Sequence, residues 1–151
     1  MHFFLPVLLL LFFCDIITKY AAKYFLAESS FVIIPHFFSL SLHFNTGVAF
    51  SFPFPYWAQI STSLVFLAGI LWWARKYFYD LSPQTQWGIT LLLSGAFGNL
   101  WERIIFGHVT DFLYFYSSWV SFPIFNIADI CIFIGVVLWF LGAEKDLAKN
   151  K

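Results

Sequence analysis

Long apolar runs divide the chain into segments that are close to the length of a membrane-spanning helix. An α-helix needs about 20 residues to cross the hydrocarbon core of a bilayer. Four runs approach this length, and polar residues interrupt the third and the fourth. They lie at about residues 3–20, 57–74, 87–105 and 123–142. The pattern predicts a mainly α membrane protein with four transmembrane helices, organised as one domain over residues 1–151.

The first run also has the length of a signal-peptide core. No Lys or Arg precedes it, however, and no cleavage site with small residues follows closely. We therefore expect it to be retained as the first transmembrane helix.

A different pattern follows between the first two apolar runs. Residues 38–45 alternate between apolar and polar side chains, which predicts a half-buried strand. Residues 31–34 are a second β-prone piece, and residues 48–52 are a candidate return strand. The edges of a small sheet cannot face hydrocarbon without unsatisfied backbone groups. We therefore expect a small extracytoplasmic β-cradle at about residues 31–52, resting at the outer interface.

Asn45, Thr46 and Gly47 form a turn signal within this cradle. Asn45 and Gly47 either serve the turn alone or reach the backbone of a substrate, and the spacing does not separate these two interpretations.

Composition supports lipid as the solvent of this chain. Hydrophobic residues make up 61% of it and charged residues only 11%, less than half the usual charged share. The net charge is zero, so the basic surface typical of a nucleic-acid partner is missing.

Basic residues set the orientation by the positive-inside rule. They favour cytoplasmic termini, because Arg75 and Lys76 lie between the second and third runs and Lys145, Lys149 and Lys151 follow the fourth.

Two carboxylates stand out in this apolar chain. Asp129 is the one charged residue between Phe112 and Ala143, and Asp111 immediately precedes that tract. A charged side chain at bilayer depth costs at least a few kcal/mol and usually marks a functional site. Two carboxylates brought together in a dry place cannot both ionise readily, so one keeps a proton. That is the chemistry of aspartic proteases.

Other polar residues fall on shared helix faces. Asp15 and Lys19 are four apart in the favourable order for a helical ion pair; a simple pair and a supporting role for the same site remain equal alternatives. Asn99 and Arg103 share a face of the third helix, with Gly95 one turn earlier. Asn126 lies three residues before Asp129, on one face of the fourth.

These blocks together resemble the lipoprotein signal peptidase (signal peptidase II) family, bacterial aspartic membrane proteases that remove signal peptides from lipid-modified prolipoproteins. The likeness spans nearly the whole chain and differs from the family at Ala96, where a second glycine is usual, and at Glu102, where Asp is common. It rests on five motifs in order: Asp15-Ile16-Ile17-Thr18-Lys19; Asn45-Thr46-Gly47-Val48-Ala49-Phe50; Gly98-Asn99 with Arg103; Val109-Thr110-Asp111-Phe112; and Phe125-Asn126-Ile127-Ala128-Asp129.

The resemblance implies that Asp111 and Asp129 are the catalytic dyad. It implies four helices with an outward β-cradle, a location in the bacterial cytoplasmic (inner) membrane, and an active site near the outer face. The substrate would be a diacylglyceryl-modified prolipoprotein, cut on the N-terminal side of the lipidated cysteine, with membrane lipid as surroundings and the protein acting as a monomer. The residues that would bind substrate or support the site are Asp15, Lys19, Asn45, Gly47, Asn99, Arg103, Asn126 and Ala128.

We expect hydrolysis by the aspartates without a metal or another cofactor. The zinc-protease motif His-Glu-x-x-His and the Gly-x-Gly-Asp signature are missing from the sequence. The alternative function is a small proton-coupled transporter or channel that uses Asp15, Asp129 and Arg103 as a relay. A relay should place polar residues along the whole bilayer depth, whereas the second run is almost featureless. A non-catalytic assembly subunit would leave both aspartates without a task.

Overall fold

The computed structural model describes residues 4–47 and 55–149. Four long helices account for most of this part of the chain, and a short 3-10 helix at Phe78–Asp80 follows the second. The long helices are α1 (Phe4–Phe25), α2 (Tyr56–Tyr77), α3 (Pro83–Phe106) and α4 (Ile127–Lys149). The mainly α architecture with a small sheet is therefore confirmed.

The helices are longer than the apolar runs that predicted them. α1 continues past residue 20 to Phe25, and α4 extends beyond residue 142 into the charged tail. α4 also begins at Ile127 rather than near residue 123, because the preceding residues are paired to a strand. α3 begins at Pro83, before the apolar run, and the side chain of Ser82 caps it by accepting a hydrogen bond from the Thr85 N–H.

A three-stranded antiparallel sheet packs at one end of the helices. Its strands are β1 (Phe31–Ile34), β2 (Phe38–Asn45) and β3 (Val109–Phe115), in the order β1-β2-β3. β2 was expected from the alternating pattern, and β1 from its β-prone residues. The third comes from a distant stretch of sequence, after Gly107 ends α3 in a left-handed conformation with φ of 74°. The proposed return strand at residues 48–52 lies outside the described residues.

The free edge of β3 pairs with the chain that leads into α4. The N–H groups of Phe112 and Leu113 both donate to the Phe125 carbonyl, at 3.0 and 2.8 Å, and Phe125 N–H donates back to Leu113 at 3.1 Å. This pairing holds residue 126 beside residue 111. The two aspartate-bearing motifs are therefore joined by backbone hydrogen bonds, and their proximity does not depend on side chains alone.

Apolar side chains divide between a core and a lipid-facing surface. α2 and α3 supply most of the buried core, including Leu67, Ile89 and Leu92, while large apolar side chains cover the outside of α1, α2 and α4. Within the described residues, three helical segments are long and apolar enough to cross a membrane, namely Phe4–Phe25, Tyr56–Asp80 and Ile127–Leu147. α3 is also long, with 24 residues, but it carries many of the buried polar side chains.

Glycines allow α3 and α4 to pack backbone to backbone. A Cβ added at Gly88 would lie 2.7 Å from the Gly135 carbonyl oxygen, and one at Gly135 would lie 2.6 Å from the Leu92 nitrogen. Side chains larger than hydrogen therefore do not fit at this crossing. The close contact matters for function, because α3 and α4 carry residues of the candidate site.

We predict that Gly135→Ala lowers the free energy of unfolding by about 1–3 kcal/mol, the usual cost of overpacking. The added methyl group would strike backbone atoms of α3, which cannot rotate away. Gly69→Ala is the matched control, since a Cβ at that helical glycine meets nothing within 4 Å. Thermal unfolding in detergent, followed by circular dichroism, should separate the two variants. Equal stability of both would contradict the close packing.

Candidate active site

The start of α4 is capped by two of the predicted site residues. Asn126 precedes the first helical residue, and its Oδ1 accepts a hydrogen bond from the Asp129 N–H at 3.0 Å. Asp129 Oδ2 accepts one in return from the Asn126 N–H at 3.2 Å. This reciprocal arrangement is a capping box with Asp in place of Glu. It satisfies two backbone donors and fixes the Asp129 side chain at the helix terminus.

Asp111 lies on β3 and faces the same asparagine. Its side chain is buried, with 2% of the residue exposed. Asp111 Oδ1 accepts a 2.6 Å hydrogen bond from Asn126 Nδ2, and Oδ2 accepts a 3.2 Å bond from Asn45 Nδ2. Asn126 therefore contacts both aspartates, one through its side-chain amide and the other through the helix cap.

Asn45 and Gly47 occupy the end of β2 next to this pair. Asn45 Oδ1 accepts the Gly47 N–H at 2.9 Å, which is the turn hydrogen bond expected of an Asx residue. The Asn45 amide donates to Asp111 at the same time. Asn45 thus combines turn chemistry with a contact to the site, while Gly47 contributes its backbone N–H to the turn.

Asn99 on α3 joins the dyad to α1. Its Nδ2 donates to Asp129 Oδ1 at 2.8 Å. Its Oδ1 accepts from Lys19 Nζ at 2.9 Å and from Asn126 Nδ2 at 3.2 Å. The Asn99 side-chain oxygen thus accepts two hydrogen bonds and its amide nitrogen donates one, all to site residues, which fixes the orientation of the Asn99 amide.

The sequence left two roles open for Asp15 and Lys19, a simple helical ion pair and support of the site, and the contacts of the pair fit both. Lys19 Nζ lies 2.7 Å from Asp15 Oδ2, and Lys19 and Asp15 are 0% and 1% exposed. Asp15 Oδ1 also accepts the Ala128 N–H at 2.9 Å. The pair therefore binds one of the backbone donors in the first turn of α4. Ala128 itself is fully buried and takes part through its backbone.

Arg103 lies near the site and hydrogen-bonds to Gln59, which the sequence did not single out, and to Asn99, which it did. Its Nε donates to Gln59 Oε1 at 3.2 Å, and its Nη1 donates to the Asn99 carbonyl at 3.4 Å. Gln59 in turn donates to the Thr46 carbonyl at 2.8 Å, which ties α2 to the turn after β2. The Arg103 charge acts on Asp129 and Asp111 through space.

Glu102 is the centre of a second polar cluster that sequence reasoning missed. Its carboxylate accepts from Thr110 N–H at 2.7 Å, Thr110 Oγ1 at 2.9 Å and Lys23 Nζ at 2.6 Å. Lys19 Nζ is 3.7 Å away. Glu102 therefore fixes the residue just before Asp111. The sequence held a signal for this cluster, because Lys19 and Lys23 lie one helical turn apart on α1 and Glu102 is an acid on the buried helix α3.

Burial changes the acidity of Asp111. Removal from water raises the pKa of its carboxyl, and the neighbouring Asp129 charge raises it further, to about 7. Hydrogen bonds from Asn126 and Asn45 act in the opposite direction. The site can therefore hold a carboxylic acid at neutral pH next to a second acidic group. Among residues 4–47 and 55–149, no group of three or more His, Cys, Asp or Glu side chains could hold a metal ion.

Comparisons with known proteins give one family over most of the chain. Residues 7–143 match the family model described as signal peptidase (SPase) II. The lipoprotein signal peptidase of Symbiobacterium thermophilum is 40% identical over 129 residues, which cover 84% of each chain. That of Chlorobaculum tepidum is 37% identical over 142 residues, with 87% of each chain covered. That of Staphylococcus aureus is 36% identical over 145 residues, which cover 91% of this chain and 85% of the relative.

Solved structures agree with these sequence matches. Two structures of a bacterial membrane enzyme, at 2.3 and 1.9 Å resolution, each superpose with a TM-score of 0.77 and 29% identity. The first covers 100% of this chain and 93% of its own, and the second covers 97% and 95%.

We predict that Glu102→Gln lowers the free energy of unfolding by about 3–5 kcal/mol, because the half-buried Lys23 loses the carboxylate it is paired with and the buried Lys19 loses one of its two carboxylate neighbours. Glu144→Gln on the exposed face of α4 is the matched control and should change stability by less than about 0.5 kcal/mol. Chemical unfolding in detergent measures both. Similar midpoints for the two variants would show that the Glu102 cluster contributes little.

Proposed function

We propose that Asp111 and Asp129 are the catalytic pair of this chain, which belongs to the signal peptidase II family. Family membership makes the protein a bacterial membrane protease that cleaves the signal peptides of lipoproteins. The observation that supports the catalytic pair best is the position of Asn126, which contacts both carboxyl groups and keeps them at one place. An aspartic mechanism needs such a pair with one proton between them.

In the proposed reaction Asp129 is the general base and Asp111 is the acid. Asp129 is partly exposed, and it takes a proton from a water molecule whose oxygen then bonds to the scissile carbonyl carbon. Protonated Asp111 donates a hydrogen bond to the oxygen that becomes negative. When the tetrahedral intermediate collapses, the C–N bond breaks and the departing amine takes the proton that Asp129 had accepted. Arg103 stabilises negative charge through space.

The proposed substrate is a prolipoprotein with a diacylglyceryl group on the cysteine that follows the scissile bond. The signal peptide would lie in the bilayer, with the acyl chains against the apolar outer surfaces of the helices. Exposed aromatic and aliphatic side chains on α1, α2 and α4 suit such contacts. Cleavage would then occur on the N-terminal side of the cysteine, near the membrane surface.

The proposed topology places both termini in the cytoplasm. α3 would be the fourth spanning helix, since 24 residues at about 1.5 Å each reach about 36 Å. Arg75 and Lys76 then lie at the cytoplasmic end of α2, and the sheet and the dyad lie toward the outer face of the bacterial cytoplasmic membrane. In this arrangement residues 1–151 act as a single peptidase domain and as a monomer surrounded by lipid.

The transporter alternative receives no support from the comparisons, which give proteases. Each of its three proposed relay residues makes contacts that hold the helices and the dyad in place. Asp15 binds the backbone of α4, Asp129 caps the same helix, and Arg103 donates to Gln59. In the proposed function both aspartates are catalytic, whereas a non-catalytic assembly subunit would give them no role.

We predict that Asp111→Asn and Asp129→Asn each lower the rate of cleavage of a lipid-modified precursor by about 100-fold or more. Asparagine keeps the shape and most hydrogen bonds but cannot exchange the proton. The double variant should be little slower than either single one, because the two residues act as a unit. Asp80→Asn, an exposed acid beyond α2, is the control and should cleave normally. A folded Asp111→Asn or Asp129→Asn protein with near wild-type turnover would disprove the assignment.

The rate should also depend on pH in a defined direction. Asp111 must be protonated to stabilise the oxyanion, and its pKa is raised to about 7. The active fraction is therefore highest below that value, and kcat/KM should fall as pH rises through about 7, by about tenfold per unit at higher pH. Rates measured from pH 5 to 9 test this. His108→Gln is the control and should show the same fall in kcat/KM. Loss of this fall in the control variant, or a rate that rises above pH 7, would contradict the role of Asp111.

A further inference from the structure

An open depression of about 410 Å³ adjoins the dyad on the outer side of the sheet. One wall comes from β2 and β3, and the other from the loop that leads to α4. Asn45, which donates a hydrogen bond to Asp111, forms part of the lining, so the depression is next to the proposed catalytic pair. The lining also includes His43, Tyr114, Ser121, Phe122 and Ile124.

His43 stands directly beside the catalytic strand. It pairs with Asp111 in the antiparallel register of β2 and β3, and it is exposed. Paired residues on neighbouring strands project from the same face, with Cβ atoms about 5 Å apart. Asn45, two residues later, projects from that face as well. His43 is therefore placed to contact a molecule that extends from the dyad into the depression.

The lining chemistry favours a polypeptide as the occupant. His43, Asn45, Tyr114 and Ser121 offer hydrogen-bonding groups, while Phe122 and Ile124 offer apolar contact. Acyl chains would leave these polar groups without partners. A phosphate headgroup would find no Lys or Arg among the lining residues. An extended peptide has both the carbonyl and N–H groups and the side chains that such a mixed surface can bind.

We propose that this depression binds the first residues of the mature lipoprotein, those that follow the lipidated cysteine, and that His43 is a specificity-determining residue there. The proposal rests on the proposed function. In that function the signal peptide and the acyl chains occupy the bilayer, so the mature segment is the one part of the substrate that leaves toward the outer face. His43 and Tyr114 donate hydrogen bonds to its backbone, and the loop residues cover its side chains.

Two synthetic lipopeptides with the same signal segment and the same diacylglyceryl-cysteine test the proposal. One ends a single residue after the cysteine, and the other continues for six residues. The wild-type protein should have the higher kcat/KM on the longer peptide. His43→Ala should reduce the long-to-short ratio of kcat/KM by about 2- to 10-fold, the effect of one or two lost hydrogen bonds. His43→Gln keeps a side-chain donor and should restore part of that ratio.

The chain supplies a matched control on the same sheet. His36 is exposed at the turn between β1 and β2, with φ of 59°, and His36→Asn is suitable because Asn tolerates this conformation. That variant should keep the wild-type ratio. Tyr114→Phe provides a second test if His43→Ala is poorly folded, since it removes one hydroxyl and should also reduce the ratio.

Failure of the peptide subsite and failure of the cleavage reaction give different results. An unchanged ratio in folded His43→Ala and Tyr114→Phe proteins, or a wild-type ratio of one, overturns the peptide subsite while the cleavage reaction stands. Failure of the wild-type protein to cleave either peptide, or full activity of Asp111→Asn on both, overturns the proposed function itself.

Discussion

The structure depends on one constraint, which is that ionic groups placed among apolar helices must satisfy each other. Asp15, Lys19 and Glu102 are at most 2% exposed. An isolated ion in such surroundings costs several kcal/mol, and one with a partner and further hydrogen bonds costs much less. Asp15 and Lys19 pair with each other, and in addition Glu102 accepts a backbone N–H of β3 and Asp15 accepts one of α4. The buried charges thereby connect α1, α3, β3 and α4.

The same constraint makes the fold and the candidate site inseparable. The first backbone N–H groups of any helix lack partners within the helix. In α4 they are bound by Asp15 and Asn126, which are also residues of the site. A carboxylate at this end of a helix is favoured by the helix dipole. The position of Asp129 is therefore set by the requirements of helix capping, and the close packing of α3 on α4 then places Asn99 against it.

The sequence predicted the features that depend on local pattern. Apolar runs gave the four helices to within a few residues, alternation gave β2, and charges in an apolar tract gave Asp111 and Asp129. β3 was missed because its residues, Val109–Phe115, are apolar almost without alternation and follow a helix directly. The start of α4 was placed too early because pairing between residues 113 and 125 is a tertiary contact, invisible to a helical period. For the same reason spacing could not predict the hydrogen bonds of Glu102 with Thr110 and of Arg103 with Gln59.

The hydrogen bonds around Asn126 also restrict where a proton on Asp111 can lie. Both N–H groups of its amide are used, one by Asp111 Oδ1 and one by Asn99 Oδ1, and its carbonyl oxygen accepts the Asp129 N–H. With the carbonyl held by a backbone donor, the amide cannot turn over without losing three bonds. Asp111 Oδ1 is therefore kept as an acceptor at 2.6 Å. The shorter bond marks Oδ1 as the stronger acceptor, so a proton on Asp111 is favoured on Oδ2, whose bond from Asn45 is 3.2 Å long. Asn126 thus makes the two oxygens of Asp111 chemically different, since one is held as an acceptor and the other is the favoured position of a proton.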